Sequence, residues 1–281
     1  MSESDVRGGG HRRLAPATGP HTPPWSGRPS HPEAPISELR ALSVPRETVW
    51  LRALPLQMGP SATPCSRAAG RGAVLPDRLI YHFTHIRNLP NIIQSGALFA
   101  DSQTRDLMQV EVGDRGVKSR RRGLLVPTPP GGVPADYVPF YFAPRSPMML
   151  CIKSGRVPEY QEGQGPLVYL VSTVETMAEK GIKFLFTDGN CASRITSYYD
   201  DLTHLDQVDW DIMEAYLWRD TADDPDRKRR RMAEFLMHKT APLSGMLGIA
   251  TMTEETANSV RTILAQHSHS MDVRVRREWY Y

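Results

Sequence analysis

Prolines divide this chain into two parts that differ in their capacity to fold. Half of its 24 prolines fall in residues 1–76, many of them beside glycine, serine, threonine or histidine. Such a segment buries too little apolar surface to offset the entropy lost on ordering. We therefore predict a mostly disordered, Pro/Arg-rich extension over residues 1–77 and a folded domain over residues 78–281.

Net charge is also unevenly divided. The chain carries +3, but residues 1–76 hold nine arginines and five acids, which leaves 25 basic and 26 acidic groups for the other 205 residues. A nearly neutral domain with local basic runs at 118–122 and 227–231 favours a defined phosphate-bearing ligand over non-specific coating of a duplex.

Compartment and metal content follow from what the sequence lacks. No apolar stretch approaches the ~18–20 residues that cross a bilayer. The three cysteines are far apart and indicate neither a disulfide framework nor a zinc site. We therefore expect a cytoplasmic protein with no membrane contact and no metal.

Hydrophobic patterning predicts a mixed α+β domain. The predicted strands are 79–85, 138–142, 167–172, 183–187, 234–240, 245–251 and 273–279. The predicted helices are 88–95, one starting at Ser146, 174–180, 207–218 and 254–267. Residues 101–136 are polar and predict a long loop, which is unusual inside a compact domain and tends to be functional.

Three features could hold a nucleotide, and each has a structural alternative. His82 and Thr84 project from the same face of the first strand and can grip a ribose or a carboxamide, although a lone strand histidine is more often a core residue. Arginines of the 101–136 loop suit phosphate but can equally be solvated. The aromatic segment 137–149 can stack on a base or pack in the core, and its Ser146-Pro147 pair predicts a helix N-terminus.

Glu234 is ambiguous by itself. It follows the cations 227–231 and opens a short apolar run. A carboxylate in this setting is either a salt-bridge partner or a catalytic group, and structural ion pairs are the commoner case.

Taken in order, these segments resemble the DarT family, the DNA ADP-ribosyltransferase toxins of DarT–DarG toxin–antitoxin systems. The resemblance lies in Tyr81-His82-Phe83-Thr84-His85 with Asn88-Leu89, Val138–Met149, Phe186-Thr187-Asp188-Gly189 and Ala233-Glu234-Phe235-Leu236. It covers about residues 78–281 and implies an ADP-ribosyltransferase-like α+β fold, with an NAD cleft between two mainly antiparallel sheets. The implied reaction transfers ADP-ribose from NAD to thymidine bases of single-stranded DNA and releases nicotinamide.

The resemblance assigns a catalytic role to Glu234, which would bind the 2′-hydroxyl of the nicotinamide ribose and stabilise an oxocarbenium-like transition state. The NAD contacts it implies are His82, Phe83, Thr84, Asn91 and Phe99.

The family also has an essential arginine on its NAD-binding loop. Spacing and the Lys-x-Arg-Arg context assign it to Arg120, with Arg121 and Arg115 as competitors. Because a guanidinium stays protonated, we expect Arg120 to stabilise the thymine N3 anion or the NAD phosphates, while the proton passes to water or Glu234.

The resemblance further implies DNA contacts and a partner. We expect DNA to meet Arg145, Met148, Asn190 and Tyr198. Asn190 departs from the family pattern, in which some relatives carry histidine nearby, and this leaves the base contact open. The implied partners are single-stranded DNA and a macrodomain antitoxin of the DarG type, and we expect a monomer when the toxin is free.

Two alternatives remain at this point. An enzyme of the same fold could modify guanine, RNA or protein, although the 137–149 segment favours DarT. A catalytically silent nucleic-acid-binding module is opposed by the neutral charge of the domain and by the pairing of His82 with Glu234.

Overall fold

The computed structural model describes residues 78–104 and 107–281, so the predicted extension over residues 1–77 lies outside the described residues. The strands of the described part are β1 Leu79–His85, β2 Ala97–Phe99, β3 Tyr137–Tyr141, β4 Leu167–Thr173, β5 Phe184–Thr187, β6 Tyr198–Tyr199, β7 Glu234–His238, β8 Thr240–Pro242, β9 Gly248–Thr251 and β10 Asp272–Val275. The α-helices are α1 Leu89–Ser95, α2 Arg115–Gly123, α3 Pro147–Lys153, α4 Val174–Ala178, α5 Trp210–Glu214, α6 Arg227–Arg230 and α7 Glu254–Gln266.

Eight of these strands form one sheet in the order β10-β9-β4-β1-β3-β7-β5-β6, and β2 pairs with β8 in a small second sheet. All neighbours are antiparallel except β9 and β10. The predicted α+β class with mainly antiparallel sheets is confirmed.

The large sheet opens at its middle. β1 and β4 pair along seven residues, whereas β1 and β3 share only the Tyr81–Tyr141 pair. The two four-stranded halves of the sheet therefore diverge from this pair of residues.

Apolar side chains cover both faces of β4, all seven residues of which are buried, as its continuous apolar sequence predicts. Helix α1 ends at Gly96, where φ of 71° suits glycine. Helix α3 begins after Ser146, whose hydroxyl accepts from the Met149 amide. In the part of the chain that the structure describes, no helix is long and apolar enough to span a bilayer.

Several predicted boundaries were wrong. The 234–240 strand is interrupted at Lys239, whose φ of 65° turns the chain from β7 into β8 of the other sheet. The 207–218 helix shrinks to α5, capped by the Asp209 carboxylate. The last predicted strand stops at Val275, since Arg277–Trp279 forms a 3-10 turn.

Candidate active site

Glu234 stands at the start of β7 and is 1% exposed. Its amide donates to the Thr187 hydroxyl at 3.0 Å, and that hydroxyl donates to the Gly189 carbonyl at 2.7 Å. Across the sheet Glu234 pairs with Tyr141 of β3. Two strands and a loop thus fix the backbone of this carboxylate.

The partner of Glu234 is Arg121. Its Nη1 donates to Oε2 of Glu234 at 2.7 Å and to Sγ of Cys191 at 2.8 Å, and its Nη2 donates to the Pro134 carbonyl at 3.3 Å. Burial lowers the pKa of Arg121, but the charge and the hydrogen bond of Glu234 outweigh this and raise the pKa above the ordinary arginine value. The guanidinium therefore stays charged, and it cannot act as a base.

Arg121 reaches the site because part of the predicted 101–136 loop is a helix. The Asp114 carboxylate caps α2 by accepting from the Val117 amide at 2.7 Å. Adjacent helical residues point in different directions. Arg121 therefore faces Glu234, while Arg120 and Arg115 are exposed. Of the three candidate arginines, Arg121 contacts Glu234, whereas the predicted Arg120 does not; the identity of the essential arginine stays a prediction.

Charged contacts dock α2 against the domain. Lys118 binds both Asp101 and Glu111, and Arg122 donates to Asp101 at 2.6 Å. Two of the four basic residues in the 118–122 run are therefore used in positioning α2.

Beside β1 lies a small cleft that is open to solvent. Its lining comprises His82, Thr84, Asn88, Asn91, Ile92, Ser95, Ala97, Leu98, Phe99, Thr104, Leu107 and Met108. Four of the five predicted NAD contacts are among these, and Phe83 is not. The side chain of Phe83 points to the other face of β1, where it stacks on Tyr141 with centroids 6.2 Å apart and an interplanar angle of 11°.

The tautomer of His82 is fixed by the backbone. Its Nδ1 lies 2.8 Å from the Pro139 carbonyl, which can only accept, so Nδ1 carries the proton. Burial lowers the pKa of His82 from 6.5, and the ring is neutral at pH 7. Its Nε2 is consequently a hydrogen-bond acceptor.

The buried side chain of Asn88 forms four hydrogen bonds that connect β1 with the segment before α2. Its buried amide donates to the Thr84 hydroxyl at 3.0 Å and to the Val110 carbonyl at 2.8 Å. Its Oδ1 accepts from the Gln109 and Val110 amides, each at 2.9 Å. Asn88 thus ties the cleft wall to the segment that leads into α2. Asn91 donates to the Leu107 carbonyl at 2.7 Å and supports the same wall.

The loop from Asp188 to Ser197 brings two of the predicted DNA contacts near Glu234. The Tyr198 hydroxyl donates to the Cys191 carbonyl at 2.7 Å. The side chain of Asn190 makes contacts within the protein. Its Oδ1 accepts from the Ala192 amide at 2.9 Å, and its Nδ2 lies 3.5 Å from the Met232 sulfur. Burial raises the pKa of Cys191 well above the usual thiol value, so its sulfur is a neutral thiol.

The other two predicted DNA contacts lie apart from that loop. Met148 is half-buried against the apolar cluster that contains Phe83 and Tyr81. Arg145 lies beyond the end of β3, and its guanidinium contacts the rings of Tyr216 and Tyr281.

The basic run 227–231 is mostly internal. Arg229 binds Asp226 and Asp188, and Arg230 binds Asp209 and Asp224. Arg231 is buried, and its two terminal nitrogens, Nη1 and Nη2, donate to backbone carbonyls. These three arginines of the basic run are therefore engaged by groups of the protein itself. Within residues 78–104 and 107–281, no group of three or more His, Cys, Asp and Glu residues is placed to hold a metal ion.

Comparison with known proteins matches residues 81–281 to the family model described as "ssDNA thymidine ADP-ribosyltransferase, DarT". The DNA ADP-ribosyl transferase of Thermus sp. (strain 2.9) is 39% identical over 204 residues, which is 72% of this chain and 95% of the relative. A DNA ADP-ribosyl transferase–DNA ADP-ribosyl glycohydrolase fusion protein of Thermosipho africanus is 24% identical over 187 residues, which is 66% of this chain and 45% of that protein.

Two solved structures extend these matches. Thermus sp. 2.9 DarT in complex with ADP-ribosylated ssDNA aligns with a TM-score of 0.69 and 38% identity, covering 73% of this chain and 97% of that one. The same protein in complex with NAD+ aligns with a TM-score of 0.66 and 36% identity, covering 74% of this chain and 100% of that one.

Proposed function

The chain belongs to the DarT family of ssDNA thymidine ADP-ribosyltransferases, and on that basis we propose that it transfers ADP-ribose from NAD to thymidine bases of single-stranded DNA. The observation that carries this function to individual residues is the Arg121–Glu234 pair at 2.7 Å, on a β7 strand end beside the divergence of β1 and β3. It is an NAD-dependent DNA ADP-ribosyltransferase that releases nicotinamide.

The cleft beside β1 is our proposed NAD site. Neutral His82 offers Nε2 as an acceptor for a ribose hydroxyl or the carboxamide, and Thr84 and Asn91 supply further polar groups. Phe99 supplies apolar surface on the same wall. Phe83 does not line this cleft, because its ring stacks on Tyr141 on the opposite face of β1.

In the proposed reaction the bond between nicotinamide and C1′ of the ribose breaks, and its electron pair leaves with nicotinamide. Glu234 binds the ribose 2′-hydroxyl and stabilises positive charge at the anomeric carbon. Thymine N3 bonds to C1′, and its proton passes to Glu234 or water. Arg121, which stays protonated, offsets negative charge at N3 and holds the Glu234 carboxylate in position.

Partners follow from the same proposal. Single-stranded DNA is the acceptor, and the fusion of a transferase with a glycohydrolase in one relative supports a DarG-type macrodomain antitoxin that removes the modification. We propose a monomer, because Glu234, Arg121 and His82 all come from one chain, and a cytoplasmic location, where NAD, DNA and reduced cysteines coexist.

Labelled NAD, incubated with the protein and a thymidine-containing single strand, tests this function. We expect label on that DNA and none on the same strand with every thymidine replaced by cytidine. Label on guanine, RNA or protein would identify the same chemistry with another acceptor. Absence of label on every acceptor would support a silent nucleic-acid-binding module and overturn the proposal.

A further inference from the structure

Tyr216 presents an open aromatic face next to a cation. The residue is 73% exposed, and one face of its ring lies 4.3 Å from the Arg145 guanidinium carbon. The same guanidinium carbon lies 4.5 Å from the centroid of the Tyr281 ring. Stacking of this kind holds Tyr216 in place on one face and leaves the opposite face in solvent.

Buried Arg231 attaches this stack to the catalytic end of the sheet. Its Nη1 donates to the Ala215 carbonyl at 3.3 Å, immediately before Tyr216. Its Nη2 donates to the Pro144 carbonyl at 2.9 Å, immediately before Arg145. Because Arg231 precedes Glu234 by only three residues, both sides of the stack are held beside the strand end that carries the catalytic carboxylate.

The charge at this position favours an anionic ligand. Within residues 78–104 and 107–281 neither Arg145 nor Arg231 forms a salt bridge with a carboxylate. Burial, with Arg145 nearby, lowers the pKa of Arg231 to about 10, so both remain cations at pH 7. Arg145 also has φ of 53°, a sparsely populated conformation for a residue with a Cβ. An exposed ring beside unneutralised arginines is the combination that proteins use to bind single-stranded nucleic acid.

We propose that the outer face of Tyr216 stacks on a nucleobase of the DNA strand that neighbours the target thymidine, with Arg145 facing the adjacent phosphate. This inference rests on the proposed function, since it concerns the same DNA. It assigns Tyr216 a role in positioning the strand, distinct from the chemistry at Glu234.

Steady-state kinetics with Tyr216→Ala and Tyr216→Trp test the proposal, with Leu217→Ala as the matched control because Leu217 is 67% exposed and has no ring. For Tyr216→Ala we expect KM for a long thymidine oligonucleotide to rise at least about fivefold, the fold-change that corresponds to ~1 kcal/mol of stacking. We expect kcat, KM for NAD and the melting temperature to stay unchanged. Tyr216→Trp should restore KM, and Leu217→Ala should leave it unaltered.

A direct readout uses 2-aminopurine, a fluorescent base analogue, placed in turn at each position flanking the thymidine. Stacking on Tyr216 should quench it at one position in the wild-type complex, and Tyr216→Ala should remove that quenching. Equal KM values for wild type and Tyr216→Ala, or a rise in KM for NAD as well as for DNA, would overturn the inference. A wild-type protein that labels no DNA would instead overturn the proposed function.

Discussion

Arg121 donates a single 2.7 Å hydrogen bond to one oxygen of the Glu234 carboxylate, from a helix that lies 113 residues earlier in the chain. Because the contact is monodentate, the carboxylate keeps acceptor capacity for a ribose hydroxyl. The same guanidinium touches Cys191 of the loop that follows β5. One cation therefore connects α2, the catalytic strand and that loop.

Substitution of the two neighbouring arginines should separate their roles. Arg121→Ala leaves the buried Glu234 charge without its partner, and we expect the rate of DNA labelling to fall about 100-fold or more. Arg120→Ala, on the exposed face of the same helix, should change that rate less than about twofold. Initial rates with saturating NAD check this, and melting temperatures show whether Arg121→Ala still folds. Equal losses in the two variants would contradict the assignment of Arg121.

Glu234→Gln keeps the shape of the side chain and removes its charge. We expect kcat to fall about 100- to 1,000-fold, since an electrostatic contribution of this kind is worth ~2.7–4 kcal/mol. NAD affinity, measured by calorimetry, should change much less, because the cleft lined by His82 and Thr84 is left intact. A Glu234→Gln enzyme that labels DNA at the wild-type rate would remove Glu234 from the mechanism.

His82 predicts a pH dependence of NAD binding. Burial lowers its folded-state pKa from 6.5, so the unfolded chain binds more protons in the interval below 6.5. The contribution of His82 to the free energy of unfolding is therefore full above pH 6.5 and falls as pH drops towards the folded pKa. In the folded protein His82 takes up its proton only below this lowered pKa; protonation converts Nε2 from acceptor to donor, so NAD affinity should fall by up to about tenfold per pH unit below the folded-state pKa.

His82→Gln should flatten that acid limb of NAD affinity. His238 provides the control, because burial also lowers its pKa, yet it is not among the residues that line the cleft. His238→Gln should therefore alter the pH dependence of unfolding without altering that of NAD affinity. Calorimetric titrations between pH 5 and pH 8 distinguish the two effects. An unchanged acid limb in His82→Gln would show that another group controls it.

The sequence predicted local structure better than it predicted contacts between distant segments. The bounds of β1, the stop of α1 at Gly96 and the cap of α3 at Ser146 depend on residues that act on their neighbours. The choice between Arg120 and Arg121 depends instead on which face of α2 meets the sheet, and the polar 101–136 segment gave no helical period to decide it. Likewise the five cations before Glu234 looked like a ligand surface because their carboxylate partners, such as Asp188 and Asp209, come from separate loops.

Gly189 offers a test of how that loop is held. A Cβ at this position would lie 2.2 Å from Nη1 of Arg229, a group fixed by hydrogen bonds to Asp188, Thr196 and Asp226. Gly189→Ala must therefore displace Arg229 or the loop, at a cost of about 1–3 kcal/mol in the free energy of unfolding. Gly165→Ala is the matched control, because a Cβ there meets nothing within 4 Å.

Because the loop also places Cys191 against Arg121, we expect Gly189→Ala to slow DNA labelling more than it weakens NAD binding. Arg229→Ala should cause a similar defect, and the double variant should be no worse than either single one, since both changes release the same anchor. Denaturant unfolding and labelling rates are measured for the wild type, Gly189→Ala, Arg229→Ala and the double variant, which together form a double-mutant cycle. Additive losses in the double variant would show that Gly189 and Arg229 act independently, and that the loop is positioned by other contacts.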